Sequence, residues 1–255
     1  MLAAQRREHL LEVLHRDGKI VAKTVAADLG ISEDSIRRDL RDLAAEGLCQ
    51  RVYGGALPVS PALADYAGRQ EVAVDSKRLV AATAVGLIDP GSTVLLDGGT
   101  TALAITAVLP ADLRCTVVTH SPTIAAALVA HPTVDVFVIG GKLFKHSAVA
   151  SGAAAVEAAR QVSADVFFLG VTGVHPDAGL TTGDADEAAM KRLLASRAAE
   201  TYVLGSAEKI GAASPYSVLP FDAVTAVITD APAGSGVVDR LRDHVRVVHA
   251  GEPSQ

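Results

Sequence analysis

Residues 31–57, ISEDSIRRDLRDLAAEGLCQRVYGGAL, decide how the N-terminal part of the chain reads. Ser32 stands as an N-cap, and Glu33 and Asp34 follow in the first turn, where the helix dipole favours acids. Ile36, Leu40 and Leu43 recur at i, i+4 and i+7, so the spacing predicts a helix over roughly 33–45 with one stripe packed inward. Gly47 stops it. The following LCQRVYGGAL predicts a strand, a Gly-Gly turn and a second strand.

Working upstream, Leu10, Leu11 and Leu14 share one face of a first helix that Gly18 ends. Val25, Ala26 and Leu29 form a second short face closed by Gly30. Helix, turn, helix and hairpin in that order predict a winged helix-turn-helix whose third helix is free to enter a major groove. Its outward positions include Ser35, Arg37, Arg38 and Arg41. Three arginines on one short helix suit phosphate contacts or bidentate guanine contacts. Arg51 and Tyr53 flank the hairpin tip and join Ser32 among the candidate DNA contacts. A plainer alternative is a solvated face with Asp39 and Asp42 paired to those arginines. Residues 1–57 hold nine basic and nine acidic groups, which leaves that alternative open.

The whole chain of 255 residues is 49% hydrophobic and 20% charged, which excludes a disordered chain and suits two domains. Mean hydropathy is +0.32, yet Gly, Pro, Asp or Thr interrupts every apolar run, so no membrane span is expected. A formal charge of -6 excludes a bulk-basic nucleic-acid binder; contact with a polyanion must come from a local patch. Cys49 and Cys115 lie in no CxxC spacing and read as buried, reduced thiols. MLAAQRREHLLEVL has no apolar signal core, so a cytoplasmic, unsecreted protein is expected. ALPVSPALADYAGRQ carries two prolines and no strong period. The expected division is therefore a DNA-binding domain over 1–57, a linker over 58–75 and a second domain over 76–255.

That second domain alternates apolar runs with Ala-rich stretches. The runs are TVLLD (93–97), CTVVT (115–119), VDVFVIG (134–140), DVFFLGV (165–171), TYVLG (201–205), AVTAVIT (223–229) and VRVVH (245–249). Continuous apolar strands separated by helices predict an α/β domain with a mostly parallel sheet buried on both faces. Ligands of such sheets sit beyond the carboxyl ends of the strands. VLLDGGTTALAI places Asp97, Gly98, Gly99, Thr100 and Thr101 at such an end, opening a helix. Two glycines admit close backbone approach and a helix N-terminus favours an anion, so a phosphate suits this turn. An ordinary βα turn with a Thr cap fits equally well.

Other strand ends supply His120, Gly141 and Lys209, the last able to neutralise a phosphate. The alternatives are a structural histidine and a solvated lysine. Asp184, Asp186 and Glu187 open a helix and read as capping acids rather than metal ligands. Glu187 and Lys191 form a favourable i, i+4 pair, with an ion pair as the plain role. No metal, cofactor or catalytic set is expected, since HExxH, a Gx-Ser-xG elbow and a Walker motif are all missing.

The 31–57 string resembles the signature of the DeoR family of bacterial transcriptional repressors, a Val-Ser-x-x-Thr-Ile-Arg-Arg-Asp-Leu helix followed by a Gly-Leu and an Arg-x-x-Gly-Gly-Ala wing. Ile31 and Ser35 are mild substitutions, and Tyr53 replaces a usual His. Val21 stands where the family carries a capping Ser or Thr. LDGGTT, VVTHS, VIGGKL, LGVTGV, GLTT, EAAMKR and EKIG are similar to the family's sensor domain, whose fold is akin to ribose-phosphate isomerases and CoA transferases.

The resemblance implies a repressor that binds operator DNA, senses a phosphorylated sugar and forms a homo-oligomer. It implicates Asp97 to Thr101 and Lys209 in effector binding, with Glu187 and Lys191 as further candidates. Arg69 and Lys77 match an Arg and a Lys that commonly open the sensor domain. His120 replaces a usual Asn, and Ser206 stands where an Asp-Ser-Ser-Lys loop normally begins. The competing expectation is a sugar-phosphate isomerase-like enzyme with an appended helical domain and Glu187 or Asp97 as base.

Overall fold

The computed structural model describes residues 2–251; residues 252–255 of the expected second domain lie outside them. The chain opens with α1 (Ala3–Asp17), β1 (Ile20–Val21), α2 (Ala22–Leu29) and α3 (Glu33–Ala45), followed by β2 (Gln50–Val52) and β3 (Gly55–Leu57). Leu10, Leu14, Ile36, Leu40 and Leu43 are buried together with Val25 and Ala26, so the periodic positions make the core. Ser32 caps α3, its Oγ accepting the amide of Ser35 at 3.3 Å.

The hairpin differs from expectation in one detail. Val52 pairs with Gly55, so Tyr53 and Gly54 form the turn and Gly55 belongs to β3. Gly55 is needed there because β1 lies across it: a Cβ would fall 1.7 Å from the carbonyl oxygen of Ile20. The short strand β1 completes a β1-β3-β2 sheet that two residues could not announce by periodicity. Val21 gives α2 no side-chain cap, but the Ala22 amide donates to the Gly54 carbonyl at 2.8 Å. The wing turn thus satisfies the first amide of α2, while the N2 and N3 amides that a capping hydroxyl would accept receive no side-chain bond.

Residues 58–75, expected as a linker, are largely structured. They contain a 3-10 turn at Pro61–Leu63, α4 (Tyr66–Glu71) and the start of α5 (Val74–Val85). The remaining elements are β4 (Thr93–Leu96), α6 (Thr100–Thr106), β5 (Cys115–Thr119), α7 (Pro122–Leu128), β6 (Val134–Val138), β7 (Lys142–Phe144) and β8 (Val149–Ser151). After them come α8 (Ala153–Arg160), β9 (Ala164–Gly170), β10 (Gly173–His175), β11 (Gly179–Thr182), α9 (Ala185–Ala195) and β12 (Ala198–Leu204). The last are β13 (Tyr216–Ser217), β14 (Ala226–Thr229), α10 (Gly236–Arg242) and β15 (Val247–His249).

Seven strands form one parallel sheet in the order β15-β14-β12-β9-β4-β5-β6. Side chains alternate between its faces. Val94 and Leu96 pack beneath α5, α6 and α7, whereas Leu95 packs with α8, α9 and α10. Within AVTAVIT only 226–229 is strand, because Phe221–Ala223 turns as 3-10 helix. The β7-β8 hairpin and the small antiparallel β10-β11-β13 sheet were not legible as apolar runs.

Topology places the site. From β4 the chain runs outward through β5 and β6, while β9, β12, β14 and β15 occupy the other side. The connections therefore diverge between β4 and β9, and a crevice opens at the carboxyl ends of these two strands. Asp97 follows β4 there, and Gly170 ends β9.

Candidate functional site

On the outer face of α3, Arg37, Arg38 and Arg41 are all exposed. Arg37 bonds Glu33 one turn earlier at 2.7 Å. Asp39 instead points inward: it is buried and forms a two-bond pair with Arg6 of α1, one bond at 3.0 Å. That corrects the alternative in which Asp39 and Asp42 neutralise the helix. Among the described residues, Arg38 and Arg41 have no ion-pair partner. Arg51 is exposed beside the turn, and Tyr53 projects fully from its tip. The arginine face and wing tip form one surface able to meet a polyanion.

A cleft lies at the β4-β9 crevice. Gly98, Gly99, Thr100 and Thr101 form its floor, while Gly170, Val171, Thr172 and Thr182 form one side. Arg69, Lys77, Lys191 and Lys209 bring four cations to it, and Glu187 and Glu208 two acids. Lys209 is buried and bonds Thr101 Oγ1 at 2.8 Å and the Leu204 carbonyl at 3.1 Å. Burial, aided by the charges of Lys77, Arg69 and Lys191 and opposed by Glu208, lowers its ammonium to about 8. Burial also lowers Arg69 and Lys77 from their ordinary values. Buried polar atoms without a protein partner cluster here: Arg69 Nε, Ser147 Oγ, Thr182 Oγ1 and Glu208 Oε2 all belong to cleft residues. Such atoms are costly to leave unpaired, so this cleft suits a polar, anionic guest.

The family model of the DeoR C terminal sensor domain matches residues 72–231, and that of the DeoR-like helix-turn-helix domain matches residues 6–62. The chain belongs to the DeoR family. It is a DNA-binding transcriptional regulator. The HTH-type transcriptional regulator GlpR of Haloferax volcanii is 33% identical over 90% of this chain and 91% of that protein. The glycerol-3-phosphate regulon repressor of Escherichia coli K12 is 27% identical over 96% and 97%. Among solved structures, ribose 5-phosphate isomerase A of Methanocaldococcus jannaschii aligns at TM-score 0.40 with 18% identity, covering 53% of this chain and 54% of that one.

Several residues expected at the effector lie elsewhere in this DeoR-family chain. Asp97 is fully buried behind the floor rather than on it. Its carboxylate accepts four bonds: Gly98 N at 2.8 Å, His120 Nε2 at 2.9 Å, Gly170 N at 2.9 Å and Lys191 Nζ at 2.6 Å. Burial alone would raise it, but Lys191 and His120 outweigh this and hold the carboxyl well below the usual range. His120 is likewise buried, its second nitrogen 3.2 Å from the Ala150 carbonyl, and does not line the cleft. Its ring thereby helps orient Asp97.

Lys191 leaves Glu187 for Asp97, so the expected intrahelical pair is not formed. Gly141 is exposed and does not line the cleft; a Cβ there would lie 2.7 Å from Ser151 O and 2.9 Å from Ala155 Cβ, so its role is close packing. Asp184 caps α9 through the Asp186 and Glu187 amides. Sequence reasoning passed over Ser147, Thr182 and Glu208. Only a search for polar residues at every strand end could have raised them.

Proposed function

We propose that this regulator is a repressor of a carbohydrate operon, and that a phosphorylated sugar or polyol in the cleft releases it from its operator. One observation carries this reading: four cations and four unpartnered buried polar atoms converge beside the Gly98-Thr101 turn. The phosphate lies over Gly98, Gly99, Thr100 and Thr101, near Lys209 and Lys77. Glu187, Glu208 and Thr182 take the hydroxyls. Ser32, Ser35, Arg37, Arg38, Arg41, Arg51 and Tyr53 make the DNA face, with Ser32 acting mainly through its cap. A homo-oligomer, by placing two such faces on a two-fold site, would give the half-site spacing that helix-turn-helix dimers read.

The protein is not an isomerase in this reading. All four bonds to Asp97 occupy the lone pairs a base would use. The test combines thermal shift against glycerol 3-phosphate and a panel of sugar phosphates with operator gel shifts in the same ligands. A ligand that raises Tm and releases operator is expected. A ligand that stabilises the protein yet leaves operator binding untouched, or turnover lost on Glu187→Gln, would reject the reading.

A further inference from the structure

We propose that residues 58–73 form a strap that must lift off the cleft before a ligand enters, and that lifting transmits occupancy to the DNA-binding unit. This rests on the effector reading above and adds its regulation.

The space inside the cleft is about 30 Å³, room for about two water molecules. A sugar phosphate cannot be enclosed there unless a wall moves. Much of the lining comes from the sheet ends and from α5, α6 and α9, whose apolar faces lie in the main cores. The β7-β8 turn adds Ser147, a 3-10 turn adds Glu208 and the buried Lys209, and the strap contributes Ala62, Arg69 and Val72. Its helix α4 has no buried residue. Polar contacts hold it instead. Ser60 Oγ donates to the Thr172 carbonyl, Tyr66 Oη bonds Thr123 Oγ1 at 3.0 Å, and the Tyr66 amide donates to His146 O at 2.8 Å. Leu63 lies over Gly183, where a Cβ would meet it at 2.7 Å. A segment with few apolar contacts opens at a small fraction of the global unfolding free energy.

Both ends of the strap suit a hinge and a lever. Ala73, between α4 and α5, holds φ at +50°, a strained conformation for a residue with a Cβ. At the other end β3 stops at Leu57, so the wing runs directly into the strap. Lys77 supplies the trigger. Its ammonium bonds the Arg69 and Val72 carbonyls at the end of α4, yet it also lines the cleft. An anion in the cleft competes for that ammonium and so binds the lifted state better, which is the differential affinity a population shift requires.

The test is thiol accessibility in the full-length chain. Ser147→Cys, with Thr182→Cys as a second reporter should the first not fold, places a thiol on the cleft wall. Each is compared in the otherwise wild-type background and with Ser60→Ala and Tyr66→Phe added. Losing two strap bonds should speed alkylation about tenfold, with native Cys115, buried in the core, unchanged. Equal rates in both backgrounds overturn the strap, as does acceleration shared by Cys115, which would mean global unfolding. Coupling is reciprocal, so saturating operator duplex should slow alkylation about fivefold or more in the loosened background; no slowing overturns transmission to DNA. If these results hold but no sugar phosphate raises the Tm of the unsubstituted chain, the effector reading fails while the strap stands.

Discussion

Lys191 Nζ lies 2.6 Å from Asp97 Oδ2, although 94 residues separate them in the chain. One comes from α9 on one face of the sheet, the other from the end of β4. Their bond, with those from His120 and two backbone amides, fixes the turn that forms the cleft floor.

Asp97→Asn should therefore destabilise strongly. The amide leaves Lys191 and its neighbours as a buried cation without a counter-charge, at a cost of about 3–5 kcal/mol. Urea denaturation at neutral pH reads the loss. The sign with pH follows from the depressed carboxyl: its contribution is full above the unfolded value and is lost as pH falls through the folded one. The gap between wild type and variant should stay constant between about pH 5 and 8 and shrink only in stronger acid.

Lys209 carries the opposite expectation. Its folded value of about 8 lies below the ordinary 10.5, so the ligand-free protein bears the cost of a buried charge in full below about pH 8. Between the two values the unfolded chain binds more protons, and stability rises with pH. Lys209→Met should raise the stability of ligand-free protein by about 1–3 kcal/mol near neutrality, the burial cost less the bonds lost. Melting temperatures from about pH 6 to 10 test this, with the gain fading towards the alkaline end. The same variant should still bind operator but lose release by effector, and effector affinity of the wild type should weaken as pH rises through about 8.

The α3 arginines should separate by their partners. Arg38 and Arg41 carry no ion pair, so Arg38→Ala and Arg41→Ala should weaken operator binding by about 1–3 kcal/mol where they read a base, or lower the salt slope by about one where they hold a phosphate. Arg37 must first give up Glu33, so Arg37→Ala should cost less than Arg38→Ala. Gel-shift titrations at several salt concentrations measure both quantities. A larger loss at Arg37 would contradict this ordering.

Gly55→Ala should damage the wing alone. A methyl group cannot stand 1.7 Å from the Ile20 carbonyl oxygen, so β1 must leave β3 at a cost of about 1–3 kcal/mol or more. Operator affinity should fall sharply while ligand-induced stabilisation of the second domain persists. Equal loss of both would mean that the two units unfold together.

Much of this was already written in local order. The Ile36, Leu40 and Leu43 spacing, the Ser32 cap and the seven apolar runs set the helices, the strands and the winged arrangement. Periodicity and capping act within a few residues, so one chain position can be read from its neighbours. The DGGTT turn marked the strand end where the cleft lies for the same reason.

What tertiary structure alone decided is which polar group meets which. Glu187 stands one turn from Lys191, and local spacing pairs them; burial of Asp97 behind the floor draws Lys191 away because an unpaired buried carboxylate costs far more than a surface ion pair returns. The same force takes Asp39 inward to Arg6 and leaves Arg38 open. Ser147, Thr182, Glu208 and the strap reach the cleft from four separate segments. No short-range pattern encodes such a meeting, because it depends on where the sheet order brings distant strand ends together.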